Sequence, residues 1–192
     1  MKSILGRLII FIFLLGVSAC SAFADSQYAF SCDSSTIKGS IKYSVLGRYV
    51  SDFKDCAGTI LYDELTKQIK FVRLEIKAKS IQSECQWCDS VVISKKLLDT
   101  EQFPLIVFES KYFKRDSEGY WANGKIDMHG VSQKFNSQFS VKENMPGELS
   151  LSGTWVLRRK DFKISWSKLL DHGGILVGEH ITVGWEVLAK KI

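Results

Sequence analysis

In residues 131–141 (VSQKFNSQFSV) the large apolar side chains Val131, Phe135, Phe139 and Val141 fall only on odd positions, while Ser132, Lys134, Asn136, Gln138 and Ser140 fill the even ones. Successive side chains of an extended strand point to opposite faces, so this segment has one apolar and one wet face; wound as a helix it would scatter both around the axis. The same alternation puts Ile37, Ile41, Tyr43 and Val45 on one face of 37–45, Leu149, Leu151, Trp155 and Leu157 on one face of 149–157, and Ile181, Val183, Trp185 and Val187 on one face of 181–187. Strands that are wet on one side belong to antiparallel sheets.

Further strands are predicted near 28–33, 57–62, 69–79, 90–96, 105–113 and 120–127, with turns at Asp116-Ser117-Glu118-Gly119, Asn144-Met145-Pro146-Gly147 and Asp171-His172-Gly173-Gly174. A helical turn is expected at Leu97–Phe103, closed by Pro104, and a second around Trp166–Leu170. An all-β chain of this size must hide its sheet edges, and closing the sheet into an antiparallel barrel does so. A barrel of about eight strands is just wide enough to fill with side chains or to hold one small ligand. The inward stripes are aromatic and aliphatic, and read equally as a packed core or as the wall of an apolar pocket.

Export is expected from the first residues. Lys2 and Arg7 precede the apolar run 8–17 (LIIFIFLLGV), and Ala22-Phe23-Ala24 is a small-x-small cleavage site, which makes 1–24 a signal peptide and 25–192 one mature domain. The run is too short to span a bilayer as a lasting helix. Val17-Ser18-Ala19-Cys20 also has the form of a lipobox, in which the leader ends before a lipidated Cys20. Losing Lys2 and Arg7 lowers the formal charge from +5 to +3 (5 minus 2), too mild for a nucleic-acid partner. A periplasmic location follows from either processing route.

Four cysteines then remain, Cys32, Cys56, Cys85 and Cys88, and an even count in an oxidising compartment favours disulfides. Cys85-Gln86-Trp87-Cys88 has the C-x-x-C spacing of a redox dithiol, half a zinc site or a small staple. A redox pair is expected at the start of a helix, and this one reads as lying between two strands with Asp89 beside it. Zinc would need Cys32 and Cys56 to converge on it, and c-type haem would need a histidine where Asp89 stands. Among the three pairings, Cys32–Cys56 and Cys85–Cys88 are favoured, because the first closes a long loop, worth about 3 kcal/mol, and the second a tight turn. His129, His172 and His180 have no metal-motif spacing, so no metal or other cofactor is expected. Arg158-Arg159-Lys160-Asp161-Phe162-Lys163 reads as a solvated strand end, with contact to an anionic headgroup or membrane surface as the alternative. No Ser/His/Asp order, phosphate-binding glycine loop or paired carboxylates point to an enzyme.

Five short motifs in order carry a resemblance: Ser80-Ile81 with Asp89, the stretch 102–110 (QFPLIVFES), the stretch 124–131 (GKIDMHGV), Arg159-Lys160-Asp161-Phe162, and Val177-Gly178-Glu179. Together they resemble the YceI family of exported lipocalin-like proteins, from about Tyr28 to the C-terminus. The resemblance implies an extended lipocalin-like barrel holding a long amphiphile, with polyisoprenoid chains, quinone tails included, as the ligand class, and no catalytic residues. Cys88-Asp89 stands where the family usually carries Arg-Asp, and Lys163 where it usually carries glycine.

The function expected is therefore an exported binding protein that holds a long-chain isoprenoid, quinone or fatty amphiphile for transport, storage or sequestration. The alternative is a thiol-active envelope protein using Cys85 and Cys88. Ile41, Tyr43, Phe108, Phe135, Phe139, Trp155 and Trp185 are expected to line the tunnel, with Gly153 as a small inward position that a larger residue would fill. The oligomeric state is open, a homodimer among the alternatives.

Overall fold

The computed structural model describes residues 25–43, 47–117, 119–165 and 177–192. Its strands are β1 (Ser26–Ser31), β2 (Thr36–Tyr43), β3 (Gly47–Phe53), β4 (Cys56–Asp63), β5 (Gln68–Lys77), β6 (Ile81–Gln82), β7 (Leu105–Asp116), β8 (Gly119–Met128), β9 (Val131–Met145), β10 (Glu148–Arg158) and β11 (Val177–Lys191), with one helix, α1 (Gln86–Ile93). All pairings are antiparallel. Eight strands, β1-β4-β5-β7-β8-β9-β10-β11, run side by side, and β11 returns to β1 through Tyr28 opposite Lys191 and Ala29 opposite Lys190, closing the barrel. The upper half of β11 pairs instead with β2, from which β3 and β6 continue as a flap.

Alternation in the sequence becomes alternation of burial. Along β10, Leu149, Leu151, Trp155 and Leu157 are buried, while Ser152, Thr154 and Val156 are exposed. The tight β8–β9 hairpin turns on His129 and Gly130, both at positive φ (50° and 70°), the backbone that fits the twist of the flanking strands. His129 is held there by its ring against Phe103, centroids 4.8 Å apart, and by Nδ1–H donating to the Phe162 carbonyl at 2.9 Å.

One end of the barrel is closed by buried tyrosines. Tyr28 donates to Glu64 at 3.1 Å, Tyr62 to Glu143, and Tyr120 to the Lys67 carbonyl at 2.8 Å. Burial, with Glu64 alongside, pushes the Tyr28 hydroxyl up to about 12, while hydrogen bonds from Lys191, Ser26 and Tyr28 hold Glu64 down at about 2.

One local expectation is corrected. The segment 90–96, rich in Val91, Val92 and Ile93, is not a strand; helix α1 ends at Ile93 and turns follow. The helical turn expected within 97–103 is a single one, the Phe103 N–H donating to the Asp99 carbonyl at 2.8 Å. Within α1, Trp87, Cys88, Val91 and Val92 share one face lining the cavity, and the packing of partly buried Val91 and Val92 against the core overrides the β preference of three branched residues. Conversely, 47–53 forms β3, unmarked in the sequence because Ser51 occupies a buried position where an apolar residue would signal the alternation. The helical turn expected at 166–170, the turn at 171–174, and Val45 lie outside the described residues.

Cys32 is bonded to Cys56 and Cys85 to Cys88. The first bridge spans 24 positions and fastens the chain just after β1 to the start of β4. Replacing both Cys32 and Cys56 by Ser is expected to cost about 3 kcal/mol in urea unfolding under oxidising conditions, and replacing Cys85 and Cys88 distinctly less, since cross-link stabilisation grows with loop length.

Lys163 closes the 3-10 turn Arg159–Phe162 with φ 58°, its N–H directed back at the Arg159 and Lys160 carbonyls. This left-handed geometry is the one a helix-ending glycine adopts. Lys163→Gly is expected to raise stability by about 0.5–1 kcal/mol and Lys163→Val to lower it, as read from paired denaturation midpoints.

Candidate functional site

Opposite the tyrosine-closed end, the barrel encloses a cavity of about 400 Å³. Its wall follows the two-residue period of the strands: Leu74 and Ile76 from β5, Ile106 and Phe108 from β7, Ile126 and Met128 from β8, Trp155 and Leu157 from β10. The β2–β3 flap adds Ile37, Gly39, Ile41, Tyr43, Tyr49 and Ser51, and α1 lies across with Trp87, Cys88, Val91 and Val92. Trp87 and Tyr43 belong to this wall yet are 68% and 39% exposed, so the wall reaches the surface between α1 and the end of β2.

A polar clamp seats α1. Asp89 accepts from the Tyr49 hydroxyl at 2.7 Å, the Ser83 hydroxyl at 2.6 Å and the Ser83 N–H at 2.9 Å, joining the helix to β3 and to the residue after β6. Burial pushes the Asp89 carboxyl up, but the Ser83 and Tyr49 hydrogen bonds outweigh it and leave it below its ordinary range. Tyr49 is driven the other way, to about 12, by burial and by Asp89.

Cys85 is the N-cap of α1, its Sγ accepting from the Cys88 N–H at 3.2 Å. The C-x-x-C therefore begins a helix rather than lying between two strands, which removes the contextual ground for separating it from redox dithiols. Among the described residues no three His, Cys, Asp or Glu side chains converge as metal ligands. His180 lies exposed on β11, and His172 is outside the described residues.

Arg159 departs from the solvated strand end expected of its basic run. It is 7% exposed and lies on the cavity wall, donating to the carbonyls of Gly178 (2.9 Å), Ile164 (3.0 Å) and Val177 (3.3 Å). Its neighbours behave as surface residues, Arg158 pairing with Asp161 and Lys160 with Glu179.

Of the seven expected wall residues, Ile41, Tyr43, Phe108 and Trp155 lie on this cavity. Phe139 and Trp185 do not; they line a second apolar cavity of about 40 Å³ that shares Ile37, Leu74, Phe108 and Trp155 with the first. Phe135 lines neither and packs on Trp155, centroids 5.5 Å apart. Register explains the separation, because Phe139 and Trp185 both lie opposite Gly153, one level nearer the closed end than Trp155. Gly153 is consequently no opening into the large cavity: a Cβ there would stand 2.6 Å from the Trp185 ring. The position that does open into it is Gly39, whose Cβ would meet only the Ser51 hydroxyl, at 3.8 Å.

Tyr49, Ser51 and the Val91–Val92 face of α1 were not singled out from the sequence, and Arg159 reads there only as one member of a basic run and a family motif. The one available signal was the 87, 88, 91, 92 spacing, a helical stripe.

Comparison with known proteins places this geometry. The YceI-like domain model matches residues 28–189, nearly the whole barrel. A UPF0312 protein of Yersinia enterocolitica is 25% identical over 146 residues, 73% of each chain. Among solved structures, BcnA of Burkholderia cenocepacia superposes with TM-score 0.73 at 16% identity, over 83% of this chain and 98% of that one. A polyisoprenoid binding domain from Saccharophagus degradans superposes with TM-score 0.71 at 11% identity, over 88% of this chain and all (100%) of that one. At these identities the structural likeness carries the barrel, and the family match over the same span carries the kinship: the chain belongs to the YceI-like domain family.

Proposed function

We propose that this protein is an exported binding protein, not an enzyme, that holds the apolar chain of an isoprenoid or fatty amphiphile in the large cavity. The observation that carries it is the wall itself, aliphatic and aromatic nearly throughout, about 400 Å³ in volume and open at one end. Removing a methylene from water into such a wall is worth about 0.8 kcal/mol, so a chain gains affinity along its length with few polar contacts. The isoprenoid class is supported by the Saccharophagus degradans relative described as polyisoprenoid-binding. A quinone is an isoprenoid chain with a different head and fits the same proposal.

The polar end of the ligand would sit at the opening, near Arg159. Trp87 and Tyr43, exposed at the rim, suit contact with a membrane surface from which a ligand is drawn, because aromatic side chains favour the boundary between apolar and wet surroundings. A periplasmic location is supported by the leader-like residues 1–24 and by four paired cysteines in the mature part.

A second reading is favoured by one observation, the Cys85–Cys88 pair at the start of α1, where a helix N-terminus stabilises a thiolate. Disulfide-exchange activity that vanishes in Cys85→Ser would support it.

Filling the cavity should abolish binding. Gly39→Phe places a ring inside the wall, whereas Gly184→Phe adds the same ring where a Cβ meets nothing within 4 Å. The first variant is expected to lose lipid uptake by at least about tenfold and the second to retain it, both with native circular dichroism. Equal uptake by the two folded variants would overturn the site. Native mass spectrometry of protein taken from its own envelope, followed by solvent extraction, should release a co-purifying amphiphile.

Processing of the leader is checked by intact mass. A mature chain starting at Asp25 is the expected result, and a diacylated Cys20 at the N-terminus would place the protein on the membrane instead.

A further inference from the structure

The interior of the barrel is divided. Between the large cavity and the small one below it stand Phe108 and Trp155, centroids 5.1 Å apart, which contribute to the walls of both. Trp155 is fixed there: its Nε1–H donates to the buried Ser137 hydroxyl at 2.7 Å, and Phe135 and Trp185 pack on it at 5.5 and 5.6 Å. Phe108 is confined as well, since its ring lies so near the β8 backbone that a Cβ on Gly124 would stand 3.0 Å from it.

This floor limits the length of what the cavity can hold. An apolar cavity of about 150 Å³ holds benzene, about 25 Å³ for each carbon, so 400 Å³ accommodates about sixteen carbons. Depth is the tighter measure: Trp155 at the floor and Arg159 farther up the wall are four positions apart on or just past β10, about 13 Å at the strand rise, so a chain of that many carbons fits bent rather than straight. A chain much longer than this leaves its remaining carbons outside the wall.

We propose that Phe108 and Trp155 act as a tail-length ruler, so that the site takes a single apolar chain of about sixteen carbons and gains nothing from a longer one. The inference rests on the container function proposed above and narrows it. Affinity rises by about fourfold for each methylene that the wall receives, the equivalent of about 0.8 kcal/mol, until the chain reaches the floor, and is flat beyond. Replacing either ring by a smaller side chain joins the two cavities and extends the ruler toward Trp185 and Phe139.

The test titrates the mature, oxidised protein with straight-chain saturated fatty acids of about eight to twenty carbons, kept below their micellar concentrations, by displacement of a fluorescent fatty acid. For the wild type, log affinity should climb with chain length and break near sixteen carbons. In Trp155→Leu and in Phe108→Leu the break should move to longer chains by at least about two carbons, with thermal unfolding used to confirm that each variant is folded. Two variants are used so that loss of fold in one leaves the other decisive, and the position of the wild-type break stands without either.

A wild-type affinity that climbs through twenty carbons without a break overturns the ruler while leaving the container intact. A break that stays in place in both folded variants also overturns it. Absence of binding for every fatty acid, and for farnesol as an isoprenoid probe, removes the container function and the ruler with it.

Discussion

Strand β11 has two partners on one edge. Its C-terminal residues Lys190 and Lys191 pair with β1, while Ile181 through Glu186 pair with β2. A strand can hydrogen-bond only one neighbour on each side at a given height, so fifteen residues are needed to do both. The lower contact closes the sheet and removes its edges; the upper contact diverts the chain into the β2–β3 flap. An eight-stranded barrel closed along its whole height is just wide enough to fill with side chains or to hold one small ligand. Closure by β1 stops part-way, and the β2–β3 flap and α1 contribute to the wall of the cavity above it.

The same division is repeated inside. Near the closed end, Tyr28, Tyr62 and Tyr120 fill the barrel with aromatic bulk and satisfy their hydroxyls on Glu64, Glu143 and the Lys67 carbonyl. Buried hydroxyls left without partners would weaken that end. Higher up, Gly153 leaves room for Phe139 and Trp185 to turn inward beside it, and Trp155 caps that layer through its bond to Ser137. Above Trp155 no ring of comparable size reaches the axis from β10, where Leu157 and then Arg159 follow. Packed interior gives way to cavity over one pair of residues.

At the open end, polar groups hold apolar elements in place. The Asp89 carboxylate gathers Tyr49 and Ser83, so α1 can present Val91 and Val92 to the chamber without contributing a strand. Arg159 gathers three carbonyls around the turn that ends β10 and the start of β11. Its five donors suit such a corner, where several carbonyls finish their ladders together. Lys163, in the left-handed region at φ 58°, closes the same corner.

Much of this was legible in the sequence, and the reason is local. Alternation marked β9, β10 and β11 because each has one face against the interior and one against water, and that pattern is written residue by residue. The inward direction of Phe108, Phe139, Trp155 and Trp185 follows from the same period. Three things lay beyond its reach. Buried Ser51 hid β3, since a small polar residue satisfied in the folded barrel looks like an outward one in the chain. The Val91-Val92-Ile93 run favours a strand by itself and becomes helical because Val91 and Val92, on one helical face, pack partly buried against the core. And whether an inward ring lines the chamber or fills the base depends on its height, which strand register sets across neighbours distant in sequence, as with Phe139, Gly153 and Trp185. The face a residue occupies is decided within its own strand, so sequence alone determined it; the level it occupies is decided by pairing between strands, and only the tertiary structure could.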